Sequence, residues 1–337
     1  MSYGLPFSDD PFNTKHVLDP TAALLPASTR TVEQTLICPS DDMHSFLQKD
    51  LRVDKLNKID RYLWLAGQPM PPRPLNYHVV ASREIAADER MDMHLVWETS
   101  RRLHLKPLPR YLLDGQFWAK HLVCEGSDCV EQDQSAHGPS RQTREHLYKC
   151  ALGFLASYIA LIQFESDIAI AHSYHLIPRD LTWEKWVQLV QQLLKKGATN
   201  PKNINHRYLF GELRLARLNE IYAIRYGSIL KGYQFTYQTY GELVRDHLTT
   251  LSAATIYVAL VLTAMQVGLA TTRLGQNLSF QNASYGFTVF SILAPLIGIG
   301  LVGMMGIFQF ASNMLETRRF KHKQFALYDK MAQNHSI

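Results

Sequence analysis

Two apolar runs near the C-terminus, Leu248 to Thr272 and Phe287 to Ala311, constrain this chain more than any other feature. Each is about 25 residues with no charged side chain, longer than the ~20 residues an α-helix needs to cross a ~30 Å hydrocarbon core. The spacing predicts two membrane spans joined by a short polar link. About 250 of the 337 residues precede this hairpin, enough for a soluble core. A mean hydropathy of -0.15 is too polar for a chain that is mostly membrane. The expected fold class is therefore mainly α: a helical cytoplasmic domain followed by a C-terminal two-helix transmembrane hairpin. The expected divisions are a disordered tail over 1–40, the domain over 41–247, the hairpin over 248–312 and a basic cytoplasmic tail over 313–337.

Charge orients the hairpin. Arg225, Lys231 and Arg245 precede the first run, Arg318, Arg319, Lys321 and Lys323 follow the second, and Arg273 stands alone in the link. The positive-inside bias then puts both termini in the cytoplasm. Sequons at Asn277 and Asn282 fall in the link, where an attached sugar would mark the outer side. Within the first run, Gln266 is a polar group in hydrocarbon and needs a partner, either Thr288 or Ser291 on the second run or another subunit. Ala264, Gly268 and Thr272 form a small-residue seam at i, i+4 and i+8 for close helix packing, and Pro295 is expected to kink the second span. The partners implied are the lipid bilayer, a homo-oligomer formed through the hairpin and unknown proteins. Gly298, Gly300 and Gly303 follow a GxGxxG order, but inside a membrane helix they lack the strand and aqueous βαβ unit of a dinucleotide site.

The net charge of +5 is mild and its basic residues are interspersed with acidic ones, which gives no reason to expect nucleic acid. Four cysteines make no disulfide framework. The first fifteen residues contain prolines and carboxylates where a secretory signal needs an apolar core, so the N-terminal bulk is expected in a reducing compartment.

In chain order, a helix is predicted from Ser40 as N-cap, with Asp41 and Asp42 in its first turn and Val53, Leu56, Ile59 and Leu63 along one face as far as Gly67. Pro69, Pro71, Pro72 and Pro74 then impose an extended connector, a run that proline-reading modules also take. Tyr77 to Ser82 reads as a short strand and Arg83 to about Thr99 as a helix. That helix would align Glu84, Asp88 and Asp92 in a stripe, either solvated or able to hold a hard divalent cation. Leu103 to Leu113 is expected to be extended, Asp114 to cap a short helix with Phe117 and Trp118, and 125–144 to be a surface loop. Ala151 to Ile162 is too short to span and reads as a buried core helix. Thr182 should cap a helix carrying Trp183, Trp186 and Val190, and another covers about Arg207 to Tyr226. Tyr233, Phe235, Tyr237 and Tyr240 suit an interfacial aromatic belt or an edge strand.

Chemistry-bearing residues are sparse. Cys124, Cys129, His146 and Cys150 bracket the 125–144 loop with paired spacings that resemble a structural zinc site, although no C-x2-C pair is present and Cys150 equally suits a buried thiol. Glu165, Asp167, His172 and His175 read as an exposed C-terminal turn or as a catalytic or metal cluster on a helix end. No G-x-S-x-G, H-E-x-x-H, P-loop or kinase set occurs, so the expected function is non-enzymatic, a membrane-anchored interaction or scaffold protein. No cofactor is expected apart from zinc.

The runs DLRVDKLNKIDRYLWLAGQPMPPRPL (Asp50 to Leu75) and AMQVGLATTRLGQNLSFQNASYGFTVFSILAPL (Ala264 to Leu296) resemble a family of filamentous-fungal integral membrane proteins of unknown function. With MDMHLVWE, CALGFLASYIALIQFESD and RYLFGELRLARLN, the resemblance covers most of residues 50 to 312 and implies no catalytic residues. The overall layout is also similar to CorA-like magnesium channels, which would imply a subunit of an oligomeric ion channel. Where those channels carry Gly-Met-Asn after the first span, this chain has Leu274, Gly275, Gln276 and Asn277, with no acidic residue in the link.

Overall fold

The computed structural model describes residues 22–31, 33–123, 141–226, 233 and 240–334. It is mainly helical and divides into two compact units, residues 1–234 and 235–337.

The first unit opens with a two-residue ribbon, β1 (Thr29–Arg30) against β2 (Leu36–Ile37). The helix predicted from 40 to 67 is a broken series instead. Asp42 rather than Ser40 caps α1 (Met43–Asp50), its Oδ1 accepting the Ser45 amide at 3.0 Å. Then come α2 (Asp54–Asn57), a 3-10 turn (Asp60–Tyr62) and α3 (Leu63–Ala66). Val53 and Ile59 leave helical geometry at the joints. The apolar face nevertheless holds, since Val53, Leu56, Ile59 and Leu63 are all fully buried. The stripe specified which side chains go inward, and the chain bends to keep them there.

Local periodicity misread the next segment more completely. Residues Leu75–Val80 form a helix, α4, where a strand was expected. The predicted helix over 83–99 is β3 (Glu84–Ala87), a 3-10 turn (Met91–Met93) and β4 (Val96–Trp97). Together with β5 (Arg102–Leu105) and β6 (Leu213–Arg214) these make a sheet ordered β3-β5-β4-β6. β3 runs parallel to β5, β4 antiparallel to β5, and β4 parallel to β6. The β4–β6 pairing joins Val96 to Leu213, more than a hundred positions away, and such tertiary contacts override local propensity. Asp114 does cap a helical turn, accepting the Phe117 amide at 2.8 Å.

The sheet and α1 pack around α5 (Arg141–Leu161), whose Cys150, Ala151, Phe154, Leu155, Tyr158 and Leu161 are almost wholly buried. Each large side chain there contributes about 1.5–3 kcal/mol of burial free energy. The run that was too short to span is thus the central core helix. α6 (Glu165–Ser173) and α7 (Trp183–Lys195) follow. Thr182 caps α7 as expected, and Trp186 is buried with its indole N–H on the Ile162 carbonyl at 3.1 Å. The helix predicted over 207–226 begins only at Leu215: a 3-10 turn (His206–Leu209) and β6 precede α8 (Leu215–Tyr226). Leu56, Ile59 and Leu63 join Val96, Leu213, Leu218 and Tyr233 in a second core cluster.

The second unit is a helical pair. α9 (Tyr240–Ala270) and α11 (Leu278–Asn334) pack on each other, joined by the single turn α10 (Thr272–Gly275). Ser252–Ala270 and Leu278–Phe308 are long and apolar enough to cross a membrane. The polar link of the sequence reading is helical from Leu278 onward, because Asn277 Oδ1 accepts the Ser279 and Phe280 amides at 3.0 and 3.2 Å and starts α11 early. The basic C-terminal segment continues the same helix to Asn334.

Candidate functional site

Groups able to do chemistry are abundant in the core, and the fold uses them. His94 is buried beside Phe154 and Tyr158. Its Nδ1 accepts the Lys106 amide at 3.1 Å, so the ring proton sits on Nε2 and is donated to Ser157 Oγ at 2.8 Å. The Ser157 hydroxyl in turn donates to the Phe154 carbonyl at 2.6 Å. A serine whose histidine offers it a proton rather than a lone pair is not activated as a nucleophile. Burial holds His94 well below the usual histidine range. Arg207, also buried, donates to the carbonyls of Phe210 (2.6 Å), Gly211 (3.2 Å) and His94 (2.9 Å). Lys106 Nζ donates to Asp50 Oδ1 at 2.9 Å and to the Glu89 carbonyl at 2.6 Å, and Tyr111 OH donates to the other Asp50 oxygen.

The candidate residues of the sequence reading are not gathered into one site. His146 and Cys150 share a face of α5, with Sγ 3.8 Å from Nε2, but Cys124 and Cys129 lie outside the described residues. Burial pushes the Cys150 thiol up to about 12, and Asn57 Nδ2 lies 3.0 Å from His146 Nε2. Among the described residues no three His, Cys, Asp or Glu side chains stand close enough to hold a metal. The carboxylate stripe does not form, because its helix does not: Glu84 pairs with Arg102, Asp88 with Arg90 and His104, and Asp92 with Lys55. Asp167 is neither exposed nor in a C-terminal turn. It is buried at the start of α6, where Oδ2 accepts the Gln163 and Phe164 amides and Oδ1 accepts that of Asn76 at 2.7 Å. His172 bonds the Leu181 carbonyl, and His175 turns away at φ +55°. Tyr233 belongs to the domain core, its hydroxyl on the Asp92 carbonyl, and not to an interfacial belt. Phe235 and Tyr237 lie outside the described residues.

In the helical pair, a Cβ on Gly268 would sit 2.9 Å from Phe280 Cζ, so this seam residue accommodates the first turn of α11. Ser291 and Thr288 donate to the carbonyls of Phe287 and Ser284 in their own helix. Gln266 and Ala264 face outward from the pair, as does Thr272 in the connecting turn, and Pro295 lies inside the continuous α11.

One arrangement that the sequence reading missed stands apart. The proline connector after α3 lies against the segment entering β6, backbone to backbone. A Cβ on Gly67 would meet the Glu212 carbonyl at 2.6 Å, and one on Gly211 would meet the Met70 carbonyl at 2.8 Å. The contact creates a cleft of about 260 Å³ whose lining includes Arg73, Arg83, Arg214 and Arg217, with Glu212 as its one carboxylate. Glu212 is already engaged: Oε1 accepts the Arg73 amide at 3.0 Å and lies 3.4 Å from His78 Nε2, while Oε2 is 3.8 Å from Arg83. Burial lowers His78 to about 4 despite that carboxylate, so the imidazole is neutral. Arg83 and Arg214 both lie over the Trp97 indole, 4.8 and 5.2 Å from its centre. Arg73 holds the Tyr77 hydroxyl at 2.9 Å and Arg217 the Leu65 carbonyl at 2.8 Å. Among the described residues, the guanidinium groups of Arg73, Arg214 and Arg217 pair with no carboxylate.

A larger hollow of about 1010 Å³ between the β1–β2 ribbon and α1 mixes Arg30, Lys49 and Arg52 with Glu33, Asp42 and Asp54. Its charges offset one another. The arginine cleft carries a surplus of positive charge, and guanidinium forks match the geometry of planar and tetrahedral oxyanions. The sequence signal was present but dispersed, four arginines on three segments between positions 73 and 217.

A family model described as a family of unknown function, DUF6601, matches residues 43–295. Neither the curated proteins nor the solved structures contain a match.

Proposed function

The chain belongs to the family of unknown function DUF6601, and from that premise we propose a membrane-anchored, non-enzymatic interaction protein whose helical domain and both termini lie in the cytoplasm. Its arginine cleft recognises an anionic group on its partner. The observation that carries this reading is the contrast between buried and open polar groups. His94, Lys106, Asp167 and Arg207 are consumed by internal hydrogen bonds, whereas the cleft sets four arginines against a single carboxylate, Glu212, which pairs with Arg83 alone among their guanidinium groups. The outward Gln266 on α9 supplies the face on which a second copy packs.

Inorganic pyrophosphate tests the cleft. It should raise the unfolding temperature of the detergent-solubilised chain, and Arg214→Glu with Arg217→Glu should abolish the shift. An equal shift in both proteins would overturn the assignment. Single cysteines at Asn277 and Lys330, measured against the parent chain, test the topology: labelling of both from one side of sealed vesicles would refute it. A strictly monomeric mass in detergent would dismiss the oligomer.

A further inference from the structure

We infer that the anion taken by the arginine cleft is a phospholipid phosphate of the bilayer that carries the chain, and that the domain docks on that bilayer through the rim of the cleft. The inference rests on the anion-recognition reading above and names its ligand.

The rim is apolar and aromatic where it leaves the guanidinium groups. Trp64 and Met70 line the cleft and are 61% and 39% exposed. Leu65, whose carbonyl holds Arg217, is 39% exposed, and Tyr77, against Arg73, is 41% exposed. A solvated arginine cluster would be ringed by polar side chains. Here, beside the exposed Gln68, indole, phenol, thioether and leucyl groups flank the charge, the residue set that the headgroup region of a bilayer takes up. The two halves of the surface match the two halves of a phospholipid: forked cations for the phosphate, apolar groups for the upper acyl chains. Arg83 and Arg214 are seated on Trp97, which limits their freedom and lowers the ordering cost of binding.

Chain connectivity favours this ligand over a soluble one. Tyr233 is buried in the domain and Ser252 begins the first apolar helix 19 positions later. That tether keeps the cleft among lipid headgroups at high effective concentration. An anionic leaflet adds attraction that salt screens.

The test uses the full chain in nanodiscs of brominated phosphatidylcholine, with or without phosphatidylserine. Bromine quenches tryptophan fluorescence only on contact, and Trp64→Phe identifies the contribution of Trp64. The expected result is Trp64 quenching that depends on phosphatidylserine and falls with added salt. Arg214→Glu with Arg217→Glu should weaken docking roughly fivefold for each guanidinium lost while the unfolding temperature stays near that of the parent. Either variant can be checked for folding by its far-ultraviolet circular dichroism, and Arg214→Gln serves as a milder second variant. Quenching that is absent, or unchanged by phosphatidylserine and by the variants, overturns the lipid assignment. If pyrophosphate still shifts the unfolding temperature in that event, the cleft is an anion site for a soluble phosphorylated partner and only the lipid inference falls.

Discussion

Trp97 and Arg214 are direct partners across the parallel pairing of β4 and β6, and the Arg214 guanidinium lies 5.2 Å from the centre of the indole. Trp97→Ala removes no charge from the cleft but takes away the seat of both Arg83 and Arg214. Each such contact is worth about 0.5–1 kcal/mol at a partly exposed site. Pyrophosphate binding should therefore weaken in Trp97→Ala and largely survive in Trp97→Phe. Calorimetric titration of the solubilised chain distinguishes the two.

Gly67 and Gly211 keep the walls of the cleft in backbone contact. Gly211→Ala places a methyl between the Met70 carbonyl and Pro72, and overpacking of this kind costs about 1–3 kcal/mol. Gly115, whose Cβ position is open, is the control. Gly211→Ala should lower the unfolding temperature and Gly115→Ala should leave it nearly unchanged.

Lys106 and Asp50 form an asymmetric pair, with side-chain exposures of 1% and 19%. Asp50→Leu leaves the buried ammonium only the Glu89 carbonyl at 2.6 Å and the exposed Glu89 carboxylate at 3.5 Å, strands the Tyr111 hydroxyl, and should cost about 3 kcal/mol. Lys106→Met leaves a carboxylate that reaches water and should cost less. Denaturant unfolding of both variants gives the order directly, and a reversed order contradicts this account of the pair.

Acidification should destabilise the domain through His94 and His78. Burial lowers both below the ordinary value of 6.5, His78 to about 4. Below about pH 6.5, and for His78 down to about 4, the unfolded chain therefore binds protons at these sites that the native chain refuses. Stability is full above that window and falls as pH drops through it, by up to about 1.4 kcal/mol per pH unit for each group. His104 acts in the opposite sense. Hydrogen bonding to Asp88, and then to Glu98, raises it against the opposing effect of burial, so its contribution is present below 6.5 and lost as pH rises through the raised value. Thermal unfolding from pH 7 to 5 should show a falling midpoint, with a shallower fall in His94→Gln.

In the helical pair, Gly268→Leu should force Phe280 away from α9, because even a Cβ there approaches the ring to 2.9 Å. A cysteine at Ser279 should then become more reactive, whereas the same probe should not respond to Gly286→Ala, where the Cβ position is open.

Burial was far more legible in the sequence than secondary structure. Val53, Leu56, Ile59 and Leu63 were read as one inward face and are one, although three breaks divide the helix that was meant to carry them. The core helix through Phe154 and Tyr158, the caps at Asp114 and Thr182, and the two long apolar helices were likewise readable from local pattern. β3 and β4 were not, because their partners are β5 and β6 and no local period records a pairing with Leu213. The arginine cleft was illegible for the same reason. It exists only once Gly67 and Gly211 bring the proline connector onto the entrance to β6.

α11 runs unbroken through 57 residues, about 86 Å at the α-helical rise and nearly three times the thickness of a hydrocarbon core. Pro295 lies close to one end of that rod, with 39 residues, or about 59 Å, between it and Asn334. A change of about 10° in bend at the proline would sweep the far end through roughly 10 Å. A helix of this length carries any change of bend at Pro295 out to the basic residues at its far end.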